Sequence, residues 1–564
     1  MTAATGGTPG TDRPARGRRL LALLPSADDY AGLRRSWPRD VAAGLTVGVV
    51  ALPLALAFGI TTGLGASAGL ATAIVAGLVA AVFGGSDVQV SGPTGAMTVV
   101  LVPVVARYGT DAVFVVGIIA GILVVAAGVV RLGRTLAYVP WPVVEGFTVG
   151  IAVIILLQQV PGALGVARPE GENTAAVAVQ ALVHAGAGSW ATIAVTAATI
   201  LVVVLVPRLH RRLPASLIAV AVATVVAEIA GLGIGRIGDL PNALPRPGLP
   251  SASFAELRGL VSAGFAVAVL AALESLLSAK VADGMVGGRR RHDPDRELVG
   301  QGLANLASAV FGGMPATGAI ARTAVNVRAG AVTRVAAMVH AVVLAAVAVL
   351  AAGVVGRIPL AALAGVLMVT AVRMVEVHNV RAVLHATRSD AAVLTLTAVA
   401  TVAFDLIVAI EIGITAAAFL SLRSVARTMS AAPEPIDDAE DVDTGRLLHE
   451  GIVAYRLDGA LFFGAAQRFL TELTAVTDAR VAILRLPDLQ VLDATGAQAL
   501  GEIVAELEGR GVTVLLKGPR PEHVRVLEAV GALDRLAHRF HLFSDLDEAL
   551  AHARRHAART ALAT

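Results

Sequence analysis

The stretch "GGMPATGAIARTAVNVRAG", Gly312 to Gly330, sets Arg322 where an apolar segment begins. A charge at bilayer depth is expensive and as a rule marks function. The planar fork of arginine suits the oxygens of a carboxylate, bicarbonate or sulfate. Three roles are open to Arg322: holding an anion directly, supplying positive potential at longer range, or pairing with an acid. Around it, Thr317, Gly318, Ala319, Ile320, Ala321 and Thr323 read as a helix start. A second start of this kind lies in "VQVSGPTGAMTVVLVPVVARYG", Val88 to Gly109, at Gly92, Pro93, Thr94, Gly95 and Ala96. Proline suits the first turn of a helix, and glycine lets a ligand approach the backbone. Helix starts carry unpaired N–H groups and the positive end of the dipole. Two of them facing each other within a membrane make an anion site. The plain alternative at each is an ordinary junction of loop and helix. A third candidate is Glu274, inside the apolar run "VAVLAALESLLSAKVAD". A carboxylate buried in a membrane marks an ion or proton path, or it neutralises Arg322. Ser278 follows four residues later, on the same helical face.

These residues need apolar elements to hold them, and the composition supplies such elements. The chain has 564 residues, 56% of them hydrophobic and 15% charged, with a mean hydropathy of +0.75. A soluble protein carries roughly a quarter of its residues as charges. Apolar runs of about 20 residues recur from Val41 to Arg427, each able to cross a hydrocarbon core. Fourteen membrane segments are expected, near 41–60, 66–83, 95–107, 111–130, 141–161, 190–207, 213–232, 261–284, 298–312, 320–331, 333–353, 359–372, 389–404 and 405–427. The basic clusters at 131–134, 207–212, 287–296 and 373–381, with Arg423 and Arg427, each follow an even number of spans. Basic loops stay in the cytoplasm, so both termini are expected there. The broken segments at Gly92 and Gly318 are third and tenth, seven apart. Corresponding interruptions in two halves point to a transporter's central site.

The absence of cysteine excludes disulfides, thiolate metal sites and a cysteine nucleophile. The net charge of +3 gives no argument for nucleic-acid binding, and none is expected. No His/Asp spacing reads as a metal site. Glu145, Asp405 and Glu411 read as helix-end or packing contacts, and Lys280 and Asp283 as groups near the cytoplasmic face. The divisions are a basic tail (1–40), a membrane domain (41–427), an acidic, Pro-containing linker (428–451), a small α/β domain (452–557) and a short tail (558–564). In the α/β domain strands are predicted at 452–457, 460–463, 481–486, 512–517 and 540–543. Helices are predicted at 465–476, 495–508, 521–530 and 544–557.

The motifs "SGPTGAMTVV" (91–100), "VPWPVVEGFTVGIAV" (139–153), "ALESLLSAKVADGM" (272–285) and "ELVGQGLANLASAVFGGMPATGAIARTAVNVRAG" (297–330) resemble those of the sulfate permease (SulP) anion transporters. With the C-terminal domain, which resembles a STAS domain, the likeness covers about 38–556. The resemblance implies 7+7 inverted repeats, a core domain moving against a gate domain, and a homodimer. It places the anion between the third and tenth helix starts, at Gly92 to Ala96 and Gly318 to Thr323, with Phe58 of the first helix beside the cavity. "ALPLALAFGITTG" (51–63) and "VSGPTGAMTVV" look like the bacterial bicarbonate branch, and "ATGAIARTAVNVRAG" also like the dicarboxylate branch. Ala321 stands where many members have serine. The resemblance makes Glu274 and Ser278 the coupling site, for a proton or for sodium. The loop "PDLQVLDATGAQAL" (487–500) is similar to the STAS loop that is phosphorylated in anti-sigma-factor antagonists. Asp493 and Thr495 stand at its core, where Thr495 is either a regulatory site or a helix cap.

The implied function is secondary active transport of an inorganic anion, sulfate or bicarbonate, at the plasma membrane, with H⁺ or Na⁺ as symported ion and no other cofactor. The implied partners are the anion, the lipid bilayer, a second copy and a regulatory protein at the STAS domain. A C4-dicarboxylate transporter, an uncoupled exchanger or channel, and a membrane-tethered regulator are the other readings. An enzyme is not expected, since no nucleophile–base set, phosphate loop or metal cluster is present.

Overall fold

In a bilayer every backbone N–H and C=O must be satisfied within the protein, so apolar runs of this length fold as helices. The computed structural model describes residues 23–30, 32–136, 140–169, 173–184, 190–210, 213–241, 243, 245–248, 254–286, 291–404, 406–428, 430–433, 450–461 and 479–563. Each of the fourteen expected segments is a helix. The first seven are α1 (Leu33–Thr61), α2 (Ala66–Phe83), α3 (Gly95–Tyr108), α4 (Asp111–Val129), α5 (Trp141–Gln158), α6 (Trp190–Leu209) and α7 (Ala215–Ile229). The second seven are α8 (Phe254–Val286), α9 (Pro294–Val310), α10 (Ile320–Arg328), α11 (Val335–Leu350), α12 (Leu360–Met374), α13 (Arg388–Ala403) and α14 (Leu406–Thr428). Residues 1–22, 287–290, 434–449 and Asp405, with the helix expected at 465–476, lie outside the described residues.

Among the described residues seven helices are long and apolar enough to cross a membrane alone. The helices at the two broken segments are short. α3 has 14 residues and α10 has 9. At 1.5 Å per residue these cover about 21 and 14 Å of a core roughly 30 Å thick. Non-helical chain precedes each start. α1 begins at Leu33, inside the expected tail, because Arg34, Arg35 and Arg39 face out while Ser36 and Asp40 face in. This amphipathic extension carries the helix past its apolar run.

The helices pack in two groups. α4 lies along α8 and α9, and α1 and α2 lie along α11. In the other group α5 lies along α12 and α13, and α6 along α7 and α12. Each group thus takes helices from both halves, the arrangement of 7+7 inverted repeats. Small residues allow close approach, as in membrane packing generally. A Cβ on Gly121 of α4 would stand 2.8 Å from the Gly302 carbonyl oxygen of α9.

The chain divides into two compact units, Met1–Ile414 and Thr415–Thr564. The second holds a six-stranded sheet of β3 (Ser430–Pro433), β4 (Ile452–Leu461), β5 (Val481–Arg485), β6 (Leu489–Leu492), β7 (Thr513–Lys517) and β8 (Leu542–Phe543). β1 (Ser91–Gly92) and β2 (Thr317–Gly318) belong to the first unit. β4, β5, β7 and β8 run parallel in that order, while β3 pairs antiparallel with β4, and β6 parallel with it. Alternation along β5 sends Ala482 and Leu484 to one face, and Val481 and Ile483 to the other. α15 (Ala494–Gly509) and α16 (Pro521–Ala529) cover the first face, and α17 (Leu546–Ala563) the second. The strands expected at 452–457 and 460–463 are one strand, irregular between Gly459 and Ala460. β3 falls within the expected linker, where proline and acidic residues masked its strand pattern.

Candidate functional site

The two broken segments meet directly. β1 (Ser91–Gly92) and β2 (Thr317–Gly318) pair antiparallel, Ser91 opposite Gly318 and Gly92 opposite Thr317. α3 starts three residues after β1 and α10 two residues after β2. Their first N–H groups have no partner within their own helices. Thr94 is the N-cap of α3, accepting from the Met97 N–H at 3.5 Å, and Ala319 is the N-cap of α10. The Ala319 N–H donates to the Val90 carbonyl at 2.9 Å, and Asn326 Nδ2 to the Val88 carbonyl at 2.8 Å. The chain before β1 is thereby laced to α10 beyond the strand pair.

Two glycines are required by this closeness. Gly92 has φ +152°, and a Cβ there would stand 2.7 Å from Arg322 Nη1. A Cβ on Gly318 would run into the Gln89 side-chain amide.

Arg322 is 3% exposed. Its Nη2 donates to the Pro93 carbonyl at 2.6 Å, and its Nη1 has no hydrogen-bond partner. Glu274 of α8 holds the next residue: Thr94 Oγ1 donates to Glu274 Oε2 at 3.0 Å. The guanidinium and the carboxylate therefore grip adjacent residues at the start of α3. Among the described residues they do not form an ion pair with each other. Ser278, one turn along α8, is buried and shares a hydrogen bond of 3.2 Å with Thr323 Oγ1, which accepts from the Val90 N–H at 3.0 Å. Phe58 of α1 is buried against the same turn, its ring 3.5 Å from where a Cβ on Gly95 would stand. Ala96 and Ala319 are buried, and Ala321 is exposed beside Arg322.

Several holding residues were not singled out from sequence. Ser275 Oγ bonds Thr317 Oγ1 at 2.9 Å and accepts from the Gly318 N–H at 3.0 Å. Gln301 Nε2 donates to Ser91 Oγ at 2.6 Å. Asn305 brackets Ala316: Nδ2 donates to its carbonyl at 2.9 Å, and Oδ1 accepts from its N–H at 2.8 Å. The signal was available: Glu297, Gln301 and Asn305 are polar, four apart and on one face of α9.

Of the other acids Glu145 and Asp283 have partners, and Glu411 is exposed on α14. Glu145 accepts from Trp141 Nε1 at 2.9 Å and from Asn379 Nδ2 at 3.1 Å. Asp283 pairs with His292 Nδ1 at 2.7 Å. In the second unit Asp493, not Thr495, caps α15, accepting from the Gly496 N–H at 2.7 Å. Thr495 sits exposed in the first turn, because the cap position falls two residues earlier than the hydroxyl.

Comparison with known proteins adds identity to this geometry. The sulfate permease family model matches residues 38–397, and the STAS domain model matches residues 447–549. YvdB of Bacillus subtilis, which carries "sulfate transporter" in its name, is 33% identical over 91% of this chain and 97% of its own. The bicarbonate transporter BicA of Synechocystis is 31% identical over 92% of this chain and 94% of its own. Among solved structures, the transmembrane domain of a cyanobacterial BicA aligns with a TM-score of 0.61, at 32% identity over 68% of this chain and 97% of that one. Murine Slc26a9, an anion transporter solved in the inward-facing state, aligns with a TM-score of 0.84 at 16% identity, over 97% of this chain and 96% of that one, a likeness of fold.

Proposed function

This chain belongs to the sulfate permease family, and from that membership we propose that it carries small oxyanions of the sulfate–bicarbonate class by alternating access, coupled to a cation. Its relatives are transporters, and it is a transporter rather than an enzyme. The observation that carries the coupling is the hydrogen bond from Thr94 to Glu274. Thr94 caps the half-helix whose free N–H groups would receive the anion. A change of charge on Glu274 therefore acts on the N-cap of the anion site. Arg322 supplies positive potential and fixes the turn through Pro93. The proton is favoured as the coupling ion, because the Ser278 hydroxyl is engaged by Thr323 rather than turned toward Glu274.

In this reading both termini are cytoplasmic, as the basic clusters require, and the protein works at the plasma membrane as a homodimer. The STAS domain then faces a cytoplasmic regulatory protein. A phosphate on Thr495 would meet the positive end of α15, which favours negative charge.

The test is uptake of labelled sulfate and bicarbonate into proteoliposomes, under separate pH and sodium gradients. Acceleration by a pH gradient alone supports proton symport. Acceleration by sodium alone moves the coupling to Na⁺, and indifference to both assigns uncoupled exchange.

A further inference from the structure

In the second unit three histidines converge. His552 and His556 lie one turn apart on α17, and His541 stands just before β8. The ring centroids of His541 lie 5.2 Å from those of His552 and of His556, which are themselves 4.8 Å apart. His552 Nε2 and His556 Nε2 are 3.1 Å apart. One ring nitrogen from each of the three lies within 4.8 Å of the other two.

Hydrogen bonding within the cluster does not account for this arrangement. His552 and His556 can share one N–H···N bond. His541 is 0% exposed, and neither of its ring nitrogens makes a hydrogen bond. The Val514 backbone nearby falls outside hydrogen-bond geometry. A buried polar group left without a partner costs about 1–3 kcal/mol. A metal ion bound by all three rings would remove that cost. Zinc takes imidazole nitrogen at 2.0–2.1 Å in tetrahedral geometry, which sets ligand nitrogens about 3.3 Å apart. The pair on α17 already has that separation, and small ring rotations bring His541 to it. Burial, with His556, His552 and His538 alongside, holds the His541 imidazole below its ordinary range, at about 4. It is therefore neutral at pH 7, the form that offers a lone pair.

We propose that His541, His552 and His556 form a site for a divalent transition-metal ion of the zinc class, with water completing the tetrahedron. Imidazole suits Zn, Ni and Cu, whereas Mg and Ca prefer oxygen ligands. Arg555 Nη2 lies 3.2 Å from His552 Nδ1. With Nε2 on the metal, Nδ1 keeps its proton and the exposed Arg555 turns out to solvent. The ion would tie α17 to the sheet, beside the apolar contacts of Leu550, Ala553 and Ala557. The sequence showed no such site because His541 and His552 are eleven residues apart and meet only through the fold.

The test uses the full chain in detergent with any affinity tag removed. It is dialysed against buffered zinc and assayed for bound metal and thermal unfolding. The expected result is one zinc per chain and a raised unfolding temperature for the STAS unit, both lost in the His552→Ala, His556→Ala double variant. His292→Ala, in the other unit, should bind as the wild type does. Cobalt loading of the wild type should give the visible bands of a tetrahedral nitrogen site, which keeps the proposal testable if the double variant misfolds. No stoichiometric zinc on the wild type, equal zinc on the double variant, or cobalt without tetrahedral bands would overturn it.

Discussion

Arg322 and Glu274 act on neighbouring residues, Pro93 and Thr94, and through them on one helix start. A threonine there does two things: it caps α3 and it donates to the carboxylate. Thr94→Val keeps the shape and removes both bonds, while Thr94→Ser keeps the hydroxyl. Thr94→Val is expected to lower the dependence of anion uptake on the coupling ion by about tenfold, within the usual range of coupling between two sites. Thr94→Ser is expected to stay near the wild type. Equal coupling in both variants would remove Thr94 from the account. Gly318 is set by contact rather than by chemistry. Gly318→Ala pushes a methyl into the Gln89 amide and toward the Ser275 backbone. Overpacking of this kind costs about 1–3 kcal/mol. Thermal unfolding in detergent should show that loss, and adding Gln89→Ala should recover part of it.

The element that positions the site is the strand pair, and its support lies at the helix ends beyond. Arg296, at the start of α9, holds Asp29 through two hydrogen bonds of 2.9 and 2.7 Å. Arg334, at the start of α11, donates to the Gly84 carbonyl at 3.1 Å and to Asp87 at 3.0 Å, closing the end of α2. The side chains of Asp29 and Arg296 are 1% and 6% exposed, so breaking the pair leaves a buried charge. Asp29→Asn is expected to cost about 3–5 kcal/mol, read as a fall in unfolding temperature. Burial alone would raise the Asp29 carboxyl, but the hydrogen bond from Arg296, then the Ser26 backbone and the charge of Arg334, hold it well below the ordinary 3.8. A depressed carboxylate contributes stability above its unfolded pKa and loses it as pH falls toward the folded value. The wild type should therefore lose stability below about pH 4, with Asn at position 29 flattening that part of the profile. A profile unchanged by Asp29→Asn would contradict the assignment.

At the scale of the whole molecule, the fourteen helices were legible because hydropathy reads burial in lipid directly. The half-helices at Gly92 and Gly318 were legible because glycine and proline interrupt apolar runs at matching places in the two halves. The pairing of Ser91 with Gly318 was not legible, since a two-residue strand carries no periodicity. The spacing of Gln301 and Asn305 marked a polar face, but not its partners, the Ser91 hydroxyl and the Ala316 backbone, and nothing in the sequence pointed from Ser275 to the Gly318 N–H. His541 met His552 and His556 only through sheet order and helix docking. The central claim, that Glu274 couples a cation to an anion held at two facing helix starts, has one direct test. Labelled sulfate and bicarbonate uptake is measured in proteoliposomes of the wild type and of Glu274→Gln, each with and without an imposed pH gradient. The expected result is about tenfold acceleration by the gradient in the wild type and none in Glu274→Gln. Equal acceleration in both, or no entry of either anion into wild-type proteoliposomes, would contradict it.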